Sequence, residues 1–440
     1  MWLWLIVGII LAYEVYRRHE IWASLEINRL AFLDSYVDNT LSELEHALAS
    51  GDDLMIRSLQ QWLFNLEKYQ LPKLNNAAFI ANNLNKVLYG STANSTRIMR
   101  IATSLAMWNQ RQPGAPGHLL WVPEQQDPSK TNYTQAMLHN TVSEVHFLWT
   151  PSIVDLGAQL LRHSFEASLL ASGFRKTTWA SEVPVWERIP STKTRSGAVP
   201  LLCLHGITTQ MTPVLRFARE FPDKHIIMPM HPTLMYAWNI EFEKKQMMTT
   251  QQYVTTFTRW MVANGIKTVD VIAWSLGGFT RNYIVGVWQD LPPKVKPRIR
   301  KEVLIEPMGM PVASLNASTL NLLSISRAYS RVRQVAPQGS RMWSLFLVLY
   351  LRYHVHVRLL FTDPINNRLS LGYVKGKPST NRPETLYLLS GRDVVVPFDV
   401  SMRYAAKYLP RAKVQVYPEG EHGLWPYHPK FLETVKGHLN

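Results

Sequence analysis

A chain of 440 residues, 46% hydrophobic and 18% charged, can bury a large core and is too apolar to stay disordered. Its single cysteine, Cys203, excludes an intrachain disulfide framework, and its place in an apolar run reads as a buried, inert thiol in a reducing compartment. The formal charge of +15 suits anionic surfaces, but no zinc-finger spacing, RNP-like aromatic motif or basic zipper accompanies it, so nucleic acid is disfavoured and a membrane surface is the expected partner.

In chain order, Met1 to Tyr13 form an uninterrupted apolar stretch, followed by Glu14, Arg17, Arg18 and His19. The stretch is shorter than the roughly 20 residues of a spanning helix, with no positive flank before it and no small-residue cleavage site after it. Residues 1–19 therefore read as a short N-terminal membrane anchor, with Arg17 and Arg18 on the cytosolic side; a buried or interfacial helix is the alternative. Residues 20–180 read as mostly helical: Leu25, Ile27, Leu30, Leu33, Tyr36, Val37, Leu41 and Leu44 recur at spacings of about three and four. Leu54 to Leu66 and Phe79 to Leu88 repeat the pattern, with Gly51-Asp52-Asp53 and Pro72 as breaks. A loop from Gln110 to Lys130 precedes a further helical stretch, Val142 to Gly173.

The pattern changes near Val183. Short apolar runs (VPVWERI, VPLLCLHG, HIIMPM, VDVIAWS, EVLIEP, ETLYLLSG, AKVQVYPE) alternate with helical segments at Gln251 to Asn264, Leu276 to Gln289, Phe398 to Leu409 and His428 to Leu439. Apolar runs of strand length separated by helices predict a mostly parallel sheet, making residues 181–440 an α/β domain. The rhythm breaks at about 308–382, where the aromatic segment Met342 to Phe361 reads as an inserted cap. The basic group Lys294, Lys296, Arg298, Arg300 and Lys301 reads as a solvated surface loop. Sequons at Asn94, Asn132 and Asn316 would matter only if they faced a lumen.

Ala273-Trp274-Ser275-Leu276-Gly277-Gly278 lies between an apolar strand and a helix. A serine on such a turn exposes its hydroxyl above the carboxyl edge of the sheet, and small residues around it allow close approach; alanine stands where glycine is usual at the first small position. The N–H of Leu276 opens the helix and points where an oxyanion would develop. His205-Gly206-Ile207 ends an earlier strand and can present the N–H of Ile207 as the second donor, with His205 ordering the loop. An acid is expected after a later strand: Asp393 in LLSGRDVVVP is preferred over Asp399, which falls at a helix start. The base is expected last, at His422 in GEHG, with His428 and His438 assigned to the terminal helix and the surface.

These pieces, LCLHGI, AWSLGG, SGRDVVVP and EGEHG, resemble the α/β-hydrolase superfamily, and the anchored, helix-preceded architecture resembles membrane-associated members from fungi and other microbial eukaryotes. The resemblance covers about 60% of the chain. It implies an α/β-hydrolase fold and a serine esterase or lipase-like enzyme using Ser275, His422 and Asp393, with no metal or organic cofactor. The expected substrate is a carboxylic ester, with a lipid or other apolar acyl ester favoured by the anchor and the aromatic cap. Transfer of the acyl group to an alcohol other than water, and a tethered scaffold without turnover, are the competing readings. A cytosolic hydrolase domain on a membrane anchor is the expected location.

Overall fold

The computed structural model describes residues 8–16, 19, 41–42, 44–51, 56, 75–87, 95–111, 152–179, 183–190, 199–206, 216–217, 219–230, 250–307, 383–393, 396, 398–420, 422–423, 425 and 428–440. The expected cap at about 308–382, residues 20–40 of the apolar stripe, Ile207, Arg17, Arg18 and the three sequons lie outside the described residues.

In the N-terminal part, helical residues 41–42 and 44–50 meet two helices, α1 (Ala77–Val87) and α2 (Ser95–Arg111). Leu41, Leu44, Ile80, Leu84, Ile98, Ile101 and Leu105 are buried, so the described end of the apolar stripe, Leu41 and Leu44, is packing surface. Arg97 and Arg100 of α2 both donate to the Glu45 carboxylate, at 2.7 and 2.6 Å. A third helix, α3 (Ser152–Ala171), ends at Gly173, whose φ of +81° lets Phe174 N–H reach Leu169 O at 3.0 Å and turns the chain into the sheet.

Among the described residues eight strands follow: β1 (Arg175–Trp179), β2 (Val183–Arg188), β3 (Leu201–Leu204), β4 (Ile226–Pro229), β5 (Thr268–Trp274), β6 (Arg298–Ile305), β7 (Glu384–Ser390) and β8 (Lys413–Tyr417). Between and after them lie α4 (Thr250–Ala263), α5 (Gly277–Gln289), α6 (Phe398–Tyr408) and α7 (Phe431–Leu439). The strand order is β1-β2-β4-β3-β5-β6-β7-β8. β2 runs antiparallel to both neighbours, and every pairing from β4 to β8 is parallel.

The parity of the apolar runs builds three layers, because successive strand residues point to opposite faces. Leu201, Cys203, Ile272, Trp274, Val303 and Ile305 share one core with Leu169 of α3 and Phe431, Val435 and Leu439 of α7. Leu202, Leu204, Val271, Ala273 and Leu304 share the other with Phe257 and Trp260 of α4, Ile284 and Trp288 of α5, and Tyr404 of α6. Each fully buried large side chain contributes about 1.5–3 kcal/mol over its exposed state, so the two cores drive the fold. Cys203 is buried, and burial pushes its thiol up to about 12.

Three details differ from the sequence reading. β1 joins the sheet and Leu169 and Phe174 join its core, so the sheet begins ahead of residue 181; RKTTW carries too few apolar residues to signal a strand by itself. Arg298, Arg300 and Lys301 lie in β6 and not in a loop. There the Arg300 guanidinium grips Asp270 of β5 at 2.9 and 2.7 Å, and Lys301 donates to the His438 carbonyl at 2.9 Å. The terminal helix starts at Phe431, and His428 packs half-buried against Tyr417 and Trp425 ahead of it.

Candidate active site

The chain moves outward from β3 to β4, then returns past β3 to β5. At such a switch point the loops leaving neighbouring strands diverge and open a crevice at their carboxyl ends. The loop after β3 carries His205 and Gly206, and the turn after β5 carries Ser275.

Ser275 has φ +49°, a left-handed conformation that costs a non-glycine residue about 1–3 kcal/mol and persists only where the surroundings enforce it. Its N–H is held by the Ile305 carbonyl at 2.9 Å. Gly277 lies so close to β3 that a Cβ there would stand 2.2 Å from the Leu204 carbonyl oxygen, which pins the start of α5 to the sheet. Leu276 precedes α5 with φ −55° and ψ −25°, so its N–H belongs to the helix-start donors that lack an intrahelical acceptor. Gly206 passes beside the serine, its missing Cβ position 3.5 Å from the Ser275 Cβ. His205 is buried, donates from Nδ1 to the Gly206 carbonyl at 2.7 Å, and is held below its ordinary value by burial, so it is a neutral loop-ordering group.

The loops after β7 and β8 are laced together. Gly391 N–H reaches Tyr417 O at 2.8 Å, and Arg392 N–H reaches Gly420 O at 2.9 Å. This brings Asp393 and His422 to the serine. Ser275 Oγ lies 2.9 Å from His422 Nε2, and His422 Nδ1 lies 2.8 Å from Asp393 Oδ2. The second carboxylate oxygen of Asp393 accepts the Val396 N–H at 2.7 Å, fixing its plane. A carboxylate only accepts, so the neutral imidazole carries its proton on Nδ1 and turns the Nε2 lone pair to the hydroxyl. Burial opposes the imidazolium, but Asp393 and then Glu306 override it and push His422 up to about 9. Asp399 sits in the first turn of α6, and Asp393 is the carboxylate that reaches the imidazole.

Glu306 and an Arg281–Glu302 pair enter that the sequence reading did not single out. Glu306, fully buried just after β6, accepts the Gly423 N–H at 2.5 Å and the Ser390 hydroxyl, and lies 3.7 Å from His422 Nδ1. Its signal was the lone charged residue closing the apolar run VLIEP. Farther from the hydroxyl, Arg281 of α5 makes a buried two-pronged pair with Glu302 of β6 at 2.8 Å for each prong, and Thr385 donates to the same carboxylate at 2.7 Å. That pair clamps the helix carrying the serine turn onto the sheet.

A mostly parallel eight-stranded sheet with an antiparallel second strand, a serine on a strained turn after β5, an acid after β7 and a histidine after β8 decide the architecture. The chain has an α/β-hydrolase fold. No protein-family model and no curated protein matches the sequence. An esterase from Exiguobacterium antarcticum is similar in structure at 13% identity, covering 60% of this chain and 98% of its own, with a TM-score of 0.43. A membrane phospholipase A is similar at 14% identity over 66% of this chain and 93% of its own, with a TM-score of 0.46. A bromoperoxidase from Bacillus anthracis is similar at 11% identity over 60% of this chain and 99% of its own, with a TM-score of 0.44. Likeness at this level carries no weight about the reaction, because one α/β-hydrolase fold hosts many chemistries and the side chains must decide.

Glu306, Asp393 and His422 offer ligand atoms within 4.8 Å of one another, the spacing a metal ion would need. Each atom is already engaged. Nδ1 faces Asp393, Nε2 faces Ser275, and the Glu306 oxygens accept from Gly423 and Ser390. An ion would have to break this lattice, so the geometry favours proton transfer over metal binding.

Proposed function

We propose that this α/β-hydrolase is a serine hydrolase of carboxylic esters working through an acyl-enzyme. The observation that carries the reading is the contact between Ser275 Oγ and His422 Nε2 at 2.9 Å, with Asp393 behind the imidazole at 2.8 Å. Ser275 attacks the ester carbonyl while its proton passes to Nε2, and Asp393 holds the tautomer and stabilises the imidazolium. The imidazolium then gives that proton to the leaving alcohol. Water, deprotonated by the same nitrogen, cleaves the acyl-enzyme and restores the serine. The Leu276 N–H serves as one oxyanion donor and Ile207, outside the described residues, as the other; each such donor is worth about 3 kcal/mol in the transition state.

In this reading the substrate is a lipid or other apolar acyl ester reached at a membrane surface, with the hydrolase domain on the cytosolic side. Ile9, Ile10, Leu11 and Val15, on helical residues 8–16, are all more than half exposed, an arrangement that supports contact with lipid. Among the described residues no helix is long and apolar enough to cross a membrane.

A fluorophosphonate probe tests the nucleophile. The full chain is expected to label at Ser275, lose labelling in Ser275→Ala, and hydrolyse p-nitrophenyl esters with a preference for longer acyl chains. Equal labelling of wild type and Ser275→Ala would sink the proposal.

A further inference from the structure

The sequence expectation gives the imidazole one carboxylate, yet a second stands beside it. Glu306 follows β6, between the strand end that leads to Ser275 and the one that leads to Asp393. Its backbone has φ +43°, and it shares positive φ with Ser275 alone among the described non-glycine residues. Its N–H is held by the Leu388 carbonyl at 2.9 Å, while the preceding carbonyl, of Ile305, holds the Ser275 N–H at the same distance. The two strained residues are therefore joined through one peptide and one hydrogen bond.

The side chain spans the two loops that carry Asp393 and His422. One oxygen takes the hydroxyl of Ser390, the last residue of β7, and the other takes the Gly423 N–H next to the histidine. The titratable groups facing Glu306 among the described residues are His422 and Asp393; Ser390 and the Gly423 amide are its neutral neighbours. A fully buried carboxylate without a cation beside it is costly, and among the described residues the positive charge within reach is the one His422 acquires when it takes the serine proton. A neutral amide could still tie both loops, its oxygen accepting from the Gly423 N–H and its NH2 donating to the Ser390 hydroxyl oxygen. The carboxylate does something more.

We propose that Glu306 is a positioning residue of the relay, a second carboxylate that fixes the His422 loop and shares the imidazolium charge with Asp393. This rests on the serine-hydrolase reading for its role in turnover, but not for the electrostatic coupling itself. Burial brings the Glu306 carboxyl up to about 7, His422 opposing and Asp393 adding, so its charge changes near neutral pH. Above that range both carboxylates face Nδ1. If Asp393 is removed, Glu306 is, among the described residues, the remaining carboxylate near enough to orient the ring.

The test uses the full chain with carbon-13-labelled histidine, His422→Gln assigning the His422 resonance, and pH profiles of ester hydrolysis. Glu306→Gln keeps the shape and removes the charge. The His422 titration and the rising limb of kcat/KM are both expected about one pH unit lower, the small end of what a carboxylate within about 4–6 Å produces. The plateau kcat is expected to fall about tenfold, the same coupling read in the transition state, with KM unchanged. In an Asp393→Ala background, adding Glu306→Gln is expected to lower the residual rate by more than that tenfold, because the carboxylate has become the ring's only orienting acid.

An unmoved His422 titration and an unmoved limb in Glu306→Gln overturn the proposal, even where labelling still depends on Ser275. Labelling that ignores Ser275 overturns the hydrolase reading, while the His422 titration still judges the coupling. Should Glu306→Gln fail to fold, Ser390→Ala removes one donor to the ionised carboxylate and is expected to move the His422 titration in the same direction. No movement there also overturns the proposal.

Discussion

Gly277 packs against the backbone of Leu204: a Cβ on the glycine would lie 2.2 Å from the leucine carbonyl oxygen and 2.8 Å from its carbonyl carbon. The opposing atoms belong to a central strand buried on both faces, so neither side can yield. This contact sets the angle at which α5 leaves β5, and with it the height of the Ser275 hydroxyl above the sheet.

Gly277→Ala is therefore expected to disrupt the serine turn. Its backbone conflict cannot be relieved by rotating a side chain, so labelling at Ser275 should be lost and the thermal midpoint lowered. Gly286→Ala on the same helix meets nothing within 4 Å and is the control, expected to keep both. Differential scanning calorimetry with probe labelling distinguishes them.

Asp393→Asn tests the tautomer. The amide can donate toward Nδ1, which drives the imidazole proton to Nε2 and blocks the lone pair that must face Ser275. A fall of about 10⁴ in kcat is expected. Stopped-flow ester hydrolysis checks it, and retention of a tenth of wild-type kcat would show that Asp393 does not hold the ring.

Arg281→Met tests the clamp beneath the serine helix. It leaves the Glu302 carboxylate buried with the Thr385 hydroxyl but without its cation, a change that typically costs about 3–5 kcal/mol. Combining it with Glu302→Leu removes the stranded charge and should recover most of the loss. Urea denaturation of the single and double variants reads the cycle.

The pH behaviour follows from two raised groups. His422 binds its proton more tightly in the folded chain, moving from an ordinary 6.5 to about 9, so its contribution to stability is complete below about 6.5 and lost as pH rises through about 9. Glu306 acts in the same direction lower down, complete below 4.5 and lost as pH rises through about 7. Urea midpoints should fall steadily across this window, and His422→Gln should flatten its upper part. Turnover should run the opposite way, rising toward a limb near 9, because the base must be neutral to accept the serine proton.

Much of this was legible in the linear order. The runs LLCL, IIMP, VDVIAW and VLI are apolar on both faces, which marks central parallel strands whatever surrounds them. AWSLGG, the aspartate in SGRD and the histidine in GEHG each sit where a strand gives way to a turn, and the structure gathers these three side chains although Ser275 and His422 are 147 residues apart. Asp393 and Asp399 could be ranked from sequence because one follows a strand and the other starts a helix.

Other features were hidden for a physical reason. β1 is a strand because β2 offers it an edge to pair with, a property of the neighbour and not of RKTTW. Arg300 and Lys301 looked like solvated charge because their partners, Asp270 and the carbonyl of His438, lie 30 and 137 residues away. Glu306 was not singled out because its contact with Gly423 closes across 117 residues. The amino-acid sequence alone determined which segments are buried and which residue types stand at the ends of the strands, because burial and turn propensity are local in periodicity. Only the tertiary structure decided which of those ends meet, because strand order, and not chain position, chooses the neighbours that shift a proton or share a charge.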